Sequence, residues 1–385
     1  MIEQLSLTNF KAFRSADIRL APVTLLTGLN SSGKSTVLQS LALLRQSYDS
    51  GTLMHTDGDS KSLGGFLLDG ELVELGTGQD LLHEDFIQVE SEPDPLIAVG
   101  FRAEGQIFAW SARYSPEQDV LPLRQTVPSG EGDRERWGDL PLFSRRFQYL
   151  KADRIVPATT YPRSHHQAIG RGFLGARGEH TANFLRHHAE DVVPEGPLRH
   201  PKAAGHRMLD QVVAWMQELC PGVNLEADEI PGVDSVRLSY GFGGTTGLNS
   251  TRRRRPTNVG FGLTYALPIV VACMAATTGS LILLENPEAH LHPRGQSRMA
   301  MLIATAAAAG AQVIVETHSD HVLDGTRLAV KQGRLAASDT AIHYFRGNGA
   351  GVQIVTPTIA EDGSLSEWPE GFFDESDHTL DQLLG

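Results

Sequence analysis

The chain has little cysteine and no excess of positive charge, and both shortages exclude classes of protein. Two cysteines occur among 385 residues, so neither a disulfide framework nor a cysteine-based zinc site is expected. The formal net charge of -13 argues against a protein whose whole surface coats nucleic acid, although a local basic groove is compatible with it. The N-terminus starts with strand-like alternation instead of a signal peptide, which predicts a cytoplasmic protein.

A single long uncharged run, residues 256–284, raises the question of a membrane span. Pro268 and a Gly279-Ser280 break interrupt this run, and an acid follows it directly. A buried helix followed by a buried strand explains the run better, so no membrane partner is predicted.

The C-terminal third alternates strictly between helical and strand-like patterns. Its elements are predicted as helix 262–277, strand 280–285, helix 293–308, strand 311–316, helix 319–332 and strand 340–346. Such alternation predicts a mainly parallel, helix-covered sheet.

The N-terminal part has a different pattern. Residues 95–114 predict a β-hairpin that turns at Glu104-Gly105. Residues 115–140 are rich in proline, glycine and charge, which predicts a linker or mobile loop. The chain is expected to divide into a first core part (1–114), an inserted loop and helical segment (115–204), a second core part (205–346) and a C-terminal strand with an acidic tail (347–385).

The segment "GLNSSGKS", residues 28–35, fits the phosphate-loop pattern G-x-x-x-x-G-K-[ST]. It follows the apolar strand "VTLLT" and precedes an amphipathic helix, the context that this motif requires. Backbone N–H groups of such a loop surround a phosphate, the lysine reaches the β- and γ-phosphates, and the Ser hydroxyl binds Mg²⁺. ATP and Mg²⁺ are therefore the predicted ligands. The predicted binding residues are Gly28, Asn30, Ser31, Ser32, Gly33, Lys34, Ser35 and Thr36.

Two later apolar strands end in polar residues. "LILLE" delivers Glu285, the predicted Mg²⁺-side carboxylate, and "VIVETHSD" delivers His318, which is predicted to sense the γ-phosphate. A histidine at the end of a parallel strand lies where α/β proteins bind their ligands. A surface or capping histidine is the alternative.

These motifs together resemble the ABC-type ATPases of the SMC, RecF and OLD group, including "NFKAFRS" after the first strand. The segments "ENPEAHLHPRGQ", "ETHSDHVLDGTRLAV" and "WPEGFFDE" resemble a bacterial AAA-type family with a C-terminal domain of unknown function. The resemblance is strong over residues 1–80 and 255–385 and weak between them. It implies an α/β P-loop NTPase of ABC type. Such a fold has a mixed sheet with helices on both faces, an antiparallel β subdomain and an inserted, mostly helical segment.

The resemblance also implies an ATP-operated homodimer or higher oligomer. In that group a signature loop of one subunit caps the γ-phosphate bound by the other, and "NVGFGLT", with Gly260 and Gly262, is the candidate here. A tight helix–strand packing turn is the alternative for these glycines. Gln79 is the candidate for the Q-loop glutamine, with an exposed loop glutamine as the alternative. DNA or an effector protein is the implied partner, in anti-phage defence or DNA maintenance.

The residue after Glu285 decides how water would be activated. In the wider group this residue is an acid that serves as general base, whereas here it is Asn286. An amide can orient a water but cannot take its proton at neutral pH. Glu288 is therefore the predicted base in slow ATP hydrolysis, with Asn286 assisting. A helix-entry or interface carboxylate is the alternative for Glu288.

Three further features leave their interpretations open. His290 and His292 lack a third ligand at metal-binding spacing, so a metal site is not favoured. The run Arg252–Arg255 suits a nucleic-acid phosphate contact, a loop that reaches nucleotide across a dimer, or a solvated surface loop. The segment after His318 shows no acidic metal cluster, so a nuclease is not expected. A nucleotide-gated regulatory scaffold with little turnover remains the alternative to the ATPase.

Overall fold

The computed structural model describes residues 1–54, 64–128, 136–243, 252–347, 351–373, 379–380 and 382–383. Parts of the predicted loop at 115–140 and of the acidic tail, and the segment 244–251 that precedes Arg252, lie outside the described residues. The strands are β1 Ile2–Phe10, β2 Phe13–Arg19, β3 Val23–Gly28, β4 Gly65–Leu67, β5 Leu96–Ala103, β6 Gln106–Arg113, β7 Val120–Val127, β8 Phe147–Leu150, β9 Tyr161–Pro162, β10 Val223–Glu229, β11 Ser235–Phe242, β12 Leu281–Glu285, β13 Gln312–Glu316, β14 Thr340–Gly347 and β15 Val352–Val355. The helices are α1 Lys34–Asp49, α2 Gly78–Leu81, α3 Thr181–His188, α4 Met208–Leu219, α5 Phe261–Met274, α6 Pro293–Ala308 and α7 Asp320–Lys331.

The chain forms two compact units. The first comprises residues 1–147 and 341–356, and the second comprises residues 148–340 and 357–385.

The first unit contains an antiparallel sheet in the order β2-β1-β5-β6-β7-β4. The predicted hairpin is confirmed, because β5 and β6 pair from Leu96↔Arg113 to Ala103↔Gln106. Aromatic side chains fill one side of this sheet, with Trp110 packed edge-on against Trp137 at 5.1 Å between ring centroids. In the same unit β3 lies beside β14, and α1 buries the predicted apolar face. That face consists of Val37, Leu38, Leu41 and Leu44.

The second unit contains the predicted β/α alternation from α5 to α7, and the last predicted strand of that series is β14 of the first unit. Strands β12 and β13 pair in parallel, from Leu281↔Gln312 to Glu285↔Glu316, so their polar carboxyl ends meet at the same edge. A second sheet in this unit has the order β10-β11-β9. The uncharged run of the sequence is the buried helix α5 followed by β12, as predicted. Within the described residues, no helix combines the length and the apolarity needed to cross a membrane.

The prediction of a loop at 115–140 is wrong for β7, which pairs with both β6 and β4. Leu121 and Leu123 are buried, but Pro122 and the charged neighbours obscure the alternation. The segment 115–204 is also less helical than predicted. Its helical parts of four residues or more are a 3-10 turn Arg136–Asp139, a single π-helical turn His165–Gly170 and α3, as far as the described residues of this segment extend.

Candidate functional site

The loop between β3 and α1 is held by glycines that no other residue can replace without strain. Gly28 has φ 133°, and a Cβ there would lie 2.2 Å from the carbonyl oxygen of Phe345. Gly33, the N-cap of α1, has φ 97°, in the left-handed region that glycine tolerates. The sequence therefore folds here into a narrow backbone loop that leads directly into a helix N-terminus.

Lys34 is the first residue of α1, and its side chain, which is only 3% exposed, reaches back to this loop. Its ammonium donates hydrogen bonds to the carbonyls of Gly28 (3.0 Å) and Leu29 (2.5 Å). Helix α1 starts without an acid in its first turn and without a side-chain cap, so its positive end is not neutralised by its own residues. A buried cation beside an uncapped helix N-terminus is a suitable environment for an anion such as phosphate.

The other predicted loop residues surround Lys34. Asn30 and Ser31 are exposed, Ser35 is half-buried, and Ser32 and Thr36 are buried. The Ser32 hydroxyl donates to the Leu29 carbonyl at 2.7 Å, which stabilises the loop from within. Gln79 lies apart from this loop in sequence, in the first turn of α2, and its side chain is exposed.

In the second unit, Glu285 at the end of β12 is fixed by two donors. The Tyr149 hydroxyl donates to its Oε1, and the Ala152 backbone N–H donates to its Oε2 at 2.9 Å. Burial and the neighbouring Glu285 carboxylate raise the pKa of Tyr149 well above its usual value, so the phenol keeps its proton and remains a donor. Both carboxylate oxygens are thereby oriented.

Arg154 stabilises the backbone at the end of β12 and is 1% exposed. Its guanidinium donates to the carbonyls of Glu285 and Asn286, both at 2.7 Å, and to that of Lys151 at 3.0 Å. Burial lowers the pKa of Arg154 to about 10. Neither Tyr149 nor Arg154 could be predicted as a functional residue from the sequence, because "FQYLKADRIVP" matches no motif and lies far from Glu285 along the chain.

Asn286 has a left-handed backbone with φ 44°, and its N–H donates to the Glu316 carbonyl at 2.8 Å. Its side-chain Oδ1 is buried and accepts no hydrogen bond from the described residues. An acceptor in this state can orient a water or another donor, because an unpaired buried carbonyl is costly to leave unsatisfied.

Glu288 is bound to the end of the neighbouring strand β13. Its Oε2 accepts from the Thr317 hydroxyl at 2.9 Å, and its Oε1 accepts from the His318 backbone N–H at 2.8 Å. The structure thus brings together Glu285, Asn286, Glu288 and the exposed His318 at the carboxyl ends of β12 and β13. An ionised carboxylate has about four lone-pair sites, so these two bonds orient Glu288 and leave capacity for a further donor.

The two candidate signature glycines have different surroundings. A Cβ on Gly262 would lie 2.5 Å from the His290 carbonyl oxygen, whereas nothing lies within 4 Å of a Cβ on Gly260. Gly262 therefore permits close packing, as in the packing-turn alternative, and Gly260 leaves the N-terminus of α5 open.

His290 packs its ring against Tyr265, at 4.7 Å between ring centroids. Throughout the described part of the chain, no group of three His, Cys, Asp or Glu side chains has the arrangement to hold a metal ion.

Two known protein families match consecutive ranges of the chain. Residues 23–324 match the family described as "AAA domain, putative AbiEii toxin, Type IV TA system". The chain belongs to this AAA family. Residues 335–383 of this AAA protein match a further family described as a protein of unknown function, DUF3696. None of the curated proteins compared with it matches.

Solved structures similar to this AAA protein show its fold. A crystal structure of an SMC head bound to the C-winged helix domain of ScpA matches 94% of this chain and 98% of that chain, with 14% identity and a TM-score of 0.53. An Smc head domain with an extended coiled coil from Pyrococcus furiosus, bound to the C-terminal domain of ScpA, matches 100% and 99%, with 11% identity and a TM-score of 0.51. The AAA protein therefore has the ABC-type P-loop ATPase fold of SMC heads, which confirms the predicted fold class and family resemblance.

Proposed function

We propose that this chain binds ATP with Mg²⁺ and hydrolyses it slowly. The observation that carries the proposal is the phosphate loop, where two left-handed glycines and the buried Lys34 surround an uncapped helix N-terminus. Lys34 would exchange its loop carbonyl partners for the β- and γ-phosphates, which are stronger acceptors because they are ionised.

The donor set suits magnesium. Mg²⁺ prefers hard oxygen ligands and is held by one or two protein groups together with phosphate oxygens. Ser35 would supply a hydroxyl and Glu285 a carboxylate, and bound Mg²⁺ neutralises charge on the phosphates. Tyr149 and Arg154 then act as positioning residues, since they orient the Glu285 carboxylate and the backbone that carries it.

For water activation we propose that Glu288 accepts the proton, Asn286 orients the water and His318 senses the γ-phosphate. Support comes from the fixed orientation of Glu288 by Thr317 and His318. The buried, unsatisfied Oδ1 of Asn286 supplies an acceptor for a water proton.

A second candidate function is a nucleotide-gated scaffold with little turnover. It is favoured by an amide at position 286 and by the engagement of both Glu288 oxygens in bonds that connect β12 to β13. In that case Glu288 would stabilise the turn without acting on water.

Steady-state ATP turnover, measured against protein concentration, tests both candidates. We expect turnover per subunit to rise with concentration if two copies together form the active site. Glu288→Gln should bind ATP normally and lose turnover, while the exposed Glu361→Gln should behave as wild type. ATP binding without turnover at any concentration of the wild type would favour the scaffold, and failure to bind ATP would refute both.

The regulatory part of the proposal concerns partners. Nucleotide-dependent dimerisation, with the Gly260 region of one copy capping the nucleotide of the other and Gln79 near the phosphates, would control DNA binding or a partner effector. A role in anti-phage defence or DNA maintenance follows from the family resemblance.

A further inference from the structure

Four consecutive arginines line an open groove in the second unit. Arg252, Arg253, Arg254 and Arg255, together with Thr257 and Asn258, surround a cavity of about 550 Å³. We call these six residues the arginine groove.

The backbone of the arginine groove is held in place by hydrogen bonds to β11, so the positions from which its side chains extend are fixed. Arg254 exchanges two backbone hydrogen bonds with Tyr240 of β11, at 2.8 and 2.9 Å. Arg255 is extended, with φ -70° and ψ 153°, as expected for a residue before proline. Arg253 lies beside Gly241 and pairs with Glu226, which sets it apart from the other three arginines.

The remaining three arginines carry charge that the described residues do not neutralise. Arg252, Arg254 and Arg255 are exposed, and none of them forms an ion pair with another described residue. Neighbouring arginines of the same unit behave differently, since Arg163 pairs with Glu229 and Arg237 with Asp228. In a chain of net charge -13, this local excess of positive charge would attract a polyanion.

The polar groups beside these arginines are of the kinds that contact phosphates. Thr257 and Asn258 supply a hydroxyl and an amide. Helix α5 then follows its exposed N-cap Gly260, without a side-chain cap or an acid in its first turn. Phosphate contacts in nucleic-acid complexes come from arginine, hydroxyl and amide side chains and from helix N-termini.

The composition of the groove distinguishes nucleic acid from an acidic peptide. A peptide ligand is usually anchored by apolar side chains in pockets, and among the described residues the groove wall contains none. We propose that the arginine groove binds the phosphodiester backbone of a nucleic acid, without reading its sequence. This deepens the proposed function by naming its partner, and rests on that function only for the coupling to ATP.

The test is binding of fluorescein-labelled oligonucleotides, followed by anisotropy over a range of salt concentrations and without nucleotide. Single-stranded DNA, its duplex and RNA of the same sequence distinguish the sources of the backbone. The triple variant Arg252→Gln, Arg254→Gln, Arg255→Gln should bind the preferred form at least about tenfold more weakly. The slope of log K against log salt should become shallower by roughly 0.7–0.9 for each phosphate that the variant no longer neutralises.

A matched control removes the same charge elsewhere in the unit. The triple variant Arg237→Gln, Arg294→Gln, Arg334→Gln changes three exposed arginines and should bind within about twofold of wild type. The three single arginine-to-glutamine changes in the groove, each with a smaller loss of binding, guard against a triple variant that does not fold.

Three outcomes would overturn the proposal. The first is no binding of any oligonucleotide by wild type at low salt, and the second is an equal loss in both triple variants. The third is normal nucleic-acid binding by the groove variant with loss of the concentration-dependent ATP turnover, which would assign the arginines to a nucleotide on a second copy. Because binding is measured without ATP, failure of the ATPase proposal alone would leave this result unaffected.

Discussion

At the scale of single residues, one of the two donors that orient Glu288 is a side-chain hydroxyl, that of Thr317. The Thr317 hydroxyl donates to Glu288 and accepts from the Ser319 N–H at 3.1 Å, and the residue is almost fully buried. Threonine and valine have nearly the same shape, so Thr317→Val removes these bonds with little change in packing.

We expect Thr317→Val to lower ATP turnover about tenfold, because one hydrogen bond to a charged group contributes on the order of 1.5 kcal/mol and tenfold in rate corresponds to about 1.4 kcal/mol. ATP affinity should stay within about twofold, since Thr317 lies outside the phosphate loop. The lost bond from the Ser319 N–H should appear separately, as a lower thermal unfolding midpoint. Thr317→Ser, which keeps the hydroxyl, should restore turnover. Unchanged turnover in the valine variant would argue that Glu288 does not act on water.

At the scale of elements, the two glycines at the start of α5 are expected to have different roles, Gly262 in packing and Gly260 in function. Gly262 packs against the His290 carbonyl, whereas Gly260 has open space where a Cβ would lie. Gly260 also has φ -63°, which alanine adopts without strain. Two alanine substitutions two residues apart should therefore have different effects.

Gly262→Ala is expected to destabilise the protein by about 1–3 kcal/mol, the usual cost of forcing an extra methyl group into packed structure. Gly260→Ala should leave the thermal unfolding midpoint nearly unchanged but reduce ATP turnover, if this loop approaches a nucleotide on a second copy. The thermal unfolding midpoint and the ATP turnover rate of both variants test these two expectations. Full turnover in Gly260→Ala would contradict the proposed signature role.

At the scale of the whole molecule, stability should depend on pH through buried histidines. His343 in β14 is 3% exposed. Its Nε2 donates to the Arg19 carbonyl at 2.6 Å, and its Nδ1 is buried without a partner among the described residues. Burial lowers the pKa of His343 below its usual value of 6.5. The folded protein therefore keeps this ring neutral at a pH where the unfolded chain protonates it.

Between the lowered folded pKa and about 6.5, the unfolded state binds more protons, so the free energy of unfolding falls as pH falls. The slope from one such group is at most about 1.4 kcal/mol per pH unit. His343→Gln, which keeps an N–H for Arg19, should flatten the decline of the thermal unfolding midpoint below about pH 6.5. Partial burial also lowers the pKa of His200, so a residual slope should remain.

The control for this prediction is His321→Gln, which changes a side chain that is 39% exposed and should leave the pH profile as in wild type. An identical slope in wild type and His343→Gln would show that His343 does not contribute to acid sensitivity.

The phosphate loop, the amphipathic α1 and the β/α alternation that ends in Glu285 and His318 could all be predicted from the sequence. These features depend on local spacing, because helical and strand periodicities and the glycines of a tight loop act over a few consecutive residues. Burial in the structure follows these patterns closely.

The side chains that surround Glu285 and Glu288 could not be predicted from the sequence and are known only from the folded chain. Tyr149 and Arg154 reach Glu285 across 136 and 131 positions of the chain, and Thr317 reaches Glu288 across 29. Such partners have no fixed spacing, since chain topology alone brings them together. The same reason explains why β7 was not predicted, since its sequence resembles a loop and it forms a strand through its pairing with β4 and β6. It also explains Gly262, where the His290 carbonyl, distant along the chain, leaves no space for a Cβ.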